Sequence, residues 1–132
     1  MKIVADTNIF LAAALNEPEK NAIISLTNGQ ELIAPYILPF EIGNALSALI
    51  KRGRLSGREV IAVYDEIQKI PVEMCAIDIK KALAIACQYS IYAYDAYFLE
   101  CALAVRCPIL TLDVTMKNIA AQLGIALLEV EK

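Results

Sequence analysis

Short apolar runs alternate with longer segments of helical periodicity along this chain, and that alternation is the strongest constraint on its fold. Five runs have the length and composition of strands, and segments with apolar residues three or four positions apart separate them. Strands joined through helices pair in parallel, because the connection must return along the sheet. The pattern therefore predicts an α/β fold: a three-layer α/β/α sandwich with a central parallel sheet of four to five strands.

Turn and capping residues set the predicted boundaries within one domain over residues 1–132. Gly53 and Gly124 end helices, Pro39 begins one, and Ser56 with Glu59 forms a capping box. The predicted strands are Lys2–Ala5, Glu31–Ala34, Pro71–Met74, Pro108–Leu112 and Ala126–Val130. The predicted helices are Asn8–Leu15, Glu19–Thr27, Phe40–Lys51, Gly57–Lys69, Ile79–Tyr89, Ala96–Val105 and Thr115–Leu123.

Hydrophobic residues make up 58% of the chain, which is high for a protein that does not enter a membrane. No apolar run reaches the roughly 18 residues that a membrane span needs. The apolar run that follows Met1 and Lys2 is too short for a signal peptide. We therefore expect a cytoplasmic protein whose surplus apolar surface is buried in a homodimer or against a partner.

The chain contains no histidine. This excludes the commonest general base and every Ser-His or Cys-His catalytic arrangement. Any catalysis must then depend on carboxylates. Clustered carboxylates without histidine favour a hard divalent cation such as Mg²⁺ or Mn²⁺.

Four acidic residues stand at the edges of predicted elements. Asp6 and Asp113 directly follow strands, whereas Glu41 and Asp95 lie at the start of helices. In open α/β sheets, ligands bind beyond the carboxyl ends of the strands, so the fold is able to gather all four at one edge. Each acid taken alone also fits a simple capping or first-turn role. Taken together, they predict a metal site.

These residues, in this order, resemble a PIN domain, and more narrowly a VapC-type toxin ribonuclease of a type II toxin–antitoxin system. The resemblance covers essentially the whole chain. Its motifs are Asp6-Thr7-Asn8 after the first strand, Pro39-Phe40-Glu41-Ile42, Tyr94-Asp95-Ala96 at a helix start, and Thr111-Leu112-Asp113 after the last core strand.

The resemblance implies a Mg²⁺- or Mn²⁺-dependent endoribonuclease that hydrolyses RNA phosphodiesters with a metal-activated water. Its catalytic residues and metal ligands would be Asp6, Glu41, Asp95 and Asp113. Thr7, Asn8 and Thr111 would support them by hydrogen bonding. Some PIN domains carry a further acid in the stretch that is Val114-Thr115-Met116 here, where no carboxylate occurs. The resemblance also implies a homodimer and a VapB-like antitoxin as partner.

An RNA substrate needs contacts that a net charge of −3 does not obviously supply. The candidate RNA-binding residues are Lys51, Arg52, Arg54 and Arg58, in a segment that equally fits a solvated helix–helix turn. Tyrosines near Asp95 fit either stacking on unpaired bases or packing in the core or a dimer. These tyrosines are Tyr89, Tyr92, Tyr94 and Tyr97.

Two alternatives remain open from the sequence. One is a PIN-like RNA-processing nuclease that is not a toxin, and the other is a non-catalytic module that binds RNA or metal. Metal titration separates the enzyme from the binding module. The neighbouring gene separates the toxin from the processing nuclease.

Overall fold

The structure is a computed structural model that describes residues 1–130. Residues 131–132 of the predicted domain lie outside the described part. The strands are β1 (Lys2–Ala5), β2 (Glu31–Pro35), β3 (Glu73–Cys75) and β4 (Ile109–Leu110). The helices are α1 (Thr7–Ala14), α2 (Lys20–Thr27), α3 (Leu38–Lys51), α4 (Gly57–Gln68), α5 (Ile79–Tyr89), α6 (Ala93–Val105) and α7 (Val114–Gln122).

The four strands form one parallel sheet in the order β3-β2-β1-β4. Helices α1 and α2 connect β1 to β2, and α3 and α4 connect β2 to β3, so the sheet grows in one direction from β1. Helices α5 and α6 then connect β3 to β4, which lies on the other side of β1. Because such crossovers are right-handed, the two groups cover opposite faces of the sheet. The predicted three-layer α/β/α architecture is confirmed.

The central strands are buried on both faces, which explains their continuous apolar sequences. Ile3, Val4, Ile33, Ile109 and Leu110 are each at most 2% exposed. Most predicted boundaries lie within a few residues of the observed ones. The predicted capping box is also present, with both of its hydrogen bonds.

Three predicted strands are shorter than expected, and the strand predicted at Pro71–Met74 is observed over the three residues Glu73–Cys75. The segment Pro108–Leu112 pairs only over two residues, because the Leu112 N–H donates to the Asn8 side chain instead of a neighbouring strand. The predicted final strand, Ala126–Val130, reduces to a single parallel bridge between Leu127 and Ile109. A two-residue β4 offers too little edge for a longer fifth strand.

No helix among residues 1–130 is both long enough and apolar enough to cross a membrane.

Candidate active site

Strand order places the ends of β1 and β4 side by side. The Asp6 N–H donates to the Leu110 carbonyl at 3.0 Å, which extends the pairing one residue past β1. The chain leaves β1 toward β2 on one side, while β4 returns on the other. This is a topological switch point, where the crevice between diverging connections forms the usual binding site of an open α/β sheet.

Asp6 is buried, with 5% of its surface exposed, and three donors hold its carboxylate. Oδ1 accepts from the Thr7 N–H at 2.7 Å. Oδ2 accepts from the Thr111 hydroxyl at 2.8 Å and from the Asn8 amide at 3.2 Å. Asp6 is also the N-cap of α1, so the capping explanation of this residue is correct but incomplete.

Burial nevertheless raises the pKa of Asp6 to about 6. Its hydrogen bonds to Thr111 and Thr7 act in the opposite direction, and the negative charges of Asp95 and Glu41 raise the pKa further. Desolvation is thus a larger cause than mutual repulsion of the acids. A neighbouring positive charge would reverse this effect.

Asn8 and Thr111 join the two strand ends through their side chains. The Asn8 amide donates to the Thr111 hydroxyl oxygen at 3.3 Å, and its carbonyl accepts from the Leu112 N–H at 3.1 Å. The Thr111 hydroxyl oxygen also accepts from the Asp113 N–H at 3.1 Å. These contacts lock the direction in which the chain leaves β4.

Glu41 lies in the first turn of α3 and reaches toward the same edge. Its Oε2 accepts a 2.7 Å hydrogen bond from the Thr7 hydroxyl. Its Oε1 is buried and has no hydrogen-bond partner within the described part of the chain. Burial raises the pKa of Glu41, the bond from Thr7 lowers it, and the charge of Asp95 raises it.

Asp95 and Asp113 complete the acidic group from the other side. Burial and the charge of Asp113 raise the pKa of Asp95. Asp95 lies in the first turn of α6, whose N-cap is Tyr92, so an N-cap role for Asp95 is wrong. The helix starts three residues earlier than predicted. Asp113 does cap a helix, α7, by accepting from the Met116 N–H at 3.1 Å.

All four acids line one cavity of about 540 Å³. Among residues 1–130, its lining contains no lysine or arginine. Sequence reasoning missed two of its polar or aromatic members, Phe40 and Asn44. Asn44 lies three positions after Glu41 on α3, a spacing that places both on one helix face and is readable from the sequence.

The four side chains are carboxylates, the type of ligand that a hard divalent cation prefers. Among the described residues, however, no three or more Asp, Glu, Cys or His side chains already lie close enough together to hold a metal. Mg²⁺ commonly keeps several waters and binds one or two carboxylates plus substrate phosphates. The buried Oε1 of Glu41 and the raised pKa of Asp6 both mark places where a cation would relieve a cost. On these two observations, the residues fit Mg²⁺ or Mn²⁺.

The candidate RNA-binding residues do not line this cavity. Lys51 is the last residue of α3, and Arg52, Arg54 and Arg58 follow it, all exposed. Lys51 follows Glu41 by ten positions of this helix, which corresponds to about 15 Å along the axis. The basic segment and the acidic cavity therefore lie at opposite ends of α3.

The model of the PIN domain family matches residues 3–122, and the chain therefore belongs to that family. The fold resembles PAE2754 from Pyrobaculum aerophilum at a TM-score of 0.73 and 16% identity, over 96% of this chain and 83% of that one. It also resembles VapBC2 from Rickettsia felis, which was solved bound to a DNA fragment from its promoter. The TM-score is 0.66 at 15% identity, over 99% of this chain and 100% of that one.

A third similar structure is FitAcB from Neisseria gonorrhoeae, with a TM-score of 0.61 and 16% identity over 96% of each chain. At these identities the likenesses establish the fold. No curated protein matches this chain significantly. The predicted resemblance to the PIN family is confirmed.

Proposed function

We propose that this chain is a Mg²⁺- or Mn²⁺-dependent endoribonuclease. PIN domains are in general nucleases. The observation that carries the proposal is the cavity at the switch point, which four carboxylates line. One buried carboxylate oxygen there has no hydrogen-bond partner among residues 1–130. A binding module that recognised the RNA backbone alone would need cations there, since phosphate binding depends on lysine and arginine.

The residues of the chain take distinct parts in this proposal. Asp6 and Glu41 would provide the metal ligands nearest β1, and Asp95 and Asp113 would complete the negative site from α6 and the end of β4. A divalent cation held there would lower the pKa of a water and stabilise negative charge on the phosphate.

Three supporting residues would hold these acids in place. Thr7 bonds to both Asp6 and Glu41, while Thr111 and Asn8 keep the Asp6 carboxylate directed at the crevice. Through these contacts the three residues would position the acids, and Thr7 and Asn8 also line the cavity themselves.

We further propose that the enzyme is the toxin of a type II toxin–antitoxin pair and acts in the cytoplasm. Support comes from the PIN family membership and from the fold shared with VapBC2 and FitAcB. A VapB-like antitoxin would lay an apolar segment near the helices α1 to α4 and present a basic side chain to the acidic cavity. A guanidinium would there replace the charge of the metal.

A homodimer is proposed from an apolar stripe on α5. Ile79 and Leu83 are 50% and 47% exposed, and Cys87 is also exposed. Their spacing of four residues places all three on one face of the helix. A second copy of the chain packed on this stripe would bury it.

The test is cleavage of a mixed-sequence single-stranded RNA by the purified chain. EDTA should abolish cleavage, and added Mg²⁺ or Mn²⁺ should restore it. Asp6→Asn and Asp95→Asn should each be inactive while folded, whereas Asp65→Asn, an exposed acid on α4, should retain activity. Cleavage by Asp6→Asn at the rate of the unaltered chain would show that the nuclease site lies elsewhere.

A further inference from the structure

Three aromatic side chains stand exposed at the mouth of the acidic cavity. Phe40 is 74% exposed, Tyr92 84% and Tyr94 56%, and all three line the cavity. Aromatic side chains of this size usually bury most of their area in a folded protein. Three of them exposed around one cavity indicate a surface that gains contacts from a ligand.

The three rings belong to the elements that carry the acids. Phe40 directly precedes Glu41 at the start of α3. Tyr94 directly precedes Asp95, and Tyr92 is the N-cap of the same helix, α6. The rings thus approach the cavity from two separate helices, with each ring no more than three residues from an acid.

Tyr94 has a defined orientation. Its ring packs edge-to-face against Tyr97, with centroids 6.1 Å apart and an interplanar angle of 80°. Tyr97 is itself partly buried against the hydrophobic core. The contact restrains the Tyr94 ring while 56% of the residue stays exposed, so a ligand that packs on it meets a smaller conformational cost.

The negative charge of the cavity limits which contacts are able to attract a nucleic acid to it. Its lining includes four carboxylates and, in the part of the chain that the structure describes, no lysine or arginine. A phosphodiester near the cavity meets repulsion wherever no cation intervenes. The proposed divalent cation would offset this repulsion at the phosphate it contacts. The exposed rings add contacts to uncharged parts of the RNA, of which the faces of the bases are the largest.

We propose that Phe40, Tyr92 and Tyr94 stack on unpaired bases that flank the phosphate in the cavity, and that they select single-stranded RNA. The inference rests on the proposed ribonuclease function. Bases within a duplex have both faces covered by their neighbours, so paired RNA cannot use these rings. The rings are then specificity-determining residues, distinct from the acids that act on the phosphate.

The experiment measures binding on the cleavage-silent Asp6→Asn protein in Mg²⁺ buffer, by anisotropy of a labelled single-stranded RNA. Phe40→Leu and Tyr92→Leu keep apolar bulk but lose the ring, and each should raise Kd about five- to tenfold. Tyr92→Phe keeps the ring and should bind as the parent does. Ile61→Ala shortens another exposed apolar side chain, on α4 and outside the cavity, and should have no effect.

Two further readouts sharpen the test. The dependence of Kd on salt should be unchanged in the leucine variants, because no charge is removed. The same RNA annealed to its complement should bind the parent more weakly. Its Kd should be nearly the same for the parent and for every variant.

The proposal is overturned if both leucine variants bind single-stranded RNA as tightly as the parent. It is also overturned if these variants lose affinity for duplex RNA by the same factor as for single-stranded RNA. In that case the rings form a surface for a protein partner. Because binding is measured without cleavage, failure of stacking leaves the nuclease function standing. Conversely, ring-dependent binding by a chain that never cleaves RNA would refute the nuclease and retain the stacking.

Discussion

The hydroxyl of Thr111 donates a 2.8 Å hydrogen bond to Oδ2 of Asp6, across 105 positions of sequence. This contact is one of several that join the end of β4 to the end of β1. The same hydroxyl oxygen accepts the Asp113 N–H, so one side chain orients two of the four acids. These hydrogen bonds hold the two strand ends that carry Asp6 and Asp113, both of which line the acidic cavity.

Replacing Thr111 by valine keeps the shape of the side chain and removes this contact. We expect the free energy of unfolding to fall by about 1–3 kcal/mol, because buried polar groups lose their partner. The pKa of Asp6 should rise further, since the Thr111 bond now lowers it. The measurements are urea unfolding and the pH profile of cleavage.

Thr111→Ser is the matched control, because it retains the hydroxyl. It should restore the pH profile even where some packing is lost. If valine and serine variants share one profile, the hydroxyl does not act on Asp6.

The metal-free protein should lose stability as pH rises from about 4 to 6. The folded-state pKa of Asp6 is about 6 against an ordinary 3.8, so the folded state binds more protons than the unfolded state in this window. The cost is absent below pH 4 and fully developed above pH 6, at about 3 kcal/mol. The raised pKa values of Glu41 and Asp95 act in the same direction.

Asp6→Asn cannot ionise and should lack most of this pH dependence, which thermal melting in EDTA at several pH values measures. Asp65→Asn, in which an exposed acid is changed, should follow the unaltered protein. A constant difference between Asp6→Asn and the parent from pH 4 to 7 would contradict a raised pKa at Asp6.

Mg²⁺ or Mn²⁺ should raise the melting temperature at neutral pH. Binding to the folded state alone stabilises it by RT ln(1 + [L]/Kd), or about 2.7 kcal/mol at a metal concentration of 100 Kd. The variant with all four acids neutralised, Asp6→Asn, Glu41→Gln, Asp95→Asn and Asp113→Asn, should show no response. If metal leaves the melting temperature of the parent unchanged at every pH, the acids serve only as caps and first-turn residues.

The chain should run as a dimer in light scattering at micromolar concentration. Leu83→Glu introduces a charge into the α5 stripe and should shift the mass to that of a monomer. Ile61→Glu makes the same change on α4, off this stripe, and should leave the dimer intact. A monomeric parent would refute the proposed dimer, and a dimeric Leu83→Glu would place its interface on another face.

Inhibition by the proposed VapB-like antitoxin should weaken as Mn²⁺ is added. A basic side chain and a cation would compete for the same carboxylates. Cleavage by the purified complex, measured across a metal titration, checks this expectation. Inhibition that is indifferent to metal would instead favour a block of RNA access elsewhere, such as at Lys51 and Arg58.

The sequence by itself determined the layer architecture and most of the local structure. Its apolar periodicity specifies strands and helices, and Ser56 with Glu59 caps α4 as predicted. Such features depend on contacts within a few residues, so they can be read from local patterns. The same local reading located Asp6 and Asp113 at strand ends.

Only the tertiary structure decided that β4 lies beside β1, and hence that Thr111 meets Asp6. It also decided which tyrosines are exposed: Tyr92 stands in solvent, whereas Tyr97 packs on the core. These outcomes depend on pairing between segments far apart in the chain, whose energy no local periodicity contains. For the same reason, the length of β4 followed from a side-chain contact with α1 that no strand propensity predicts.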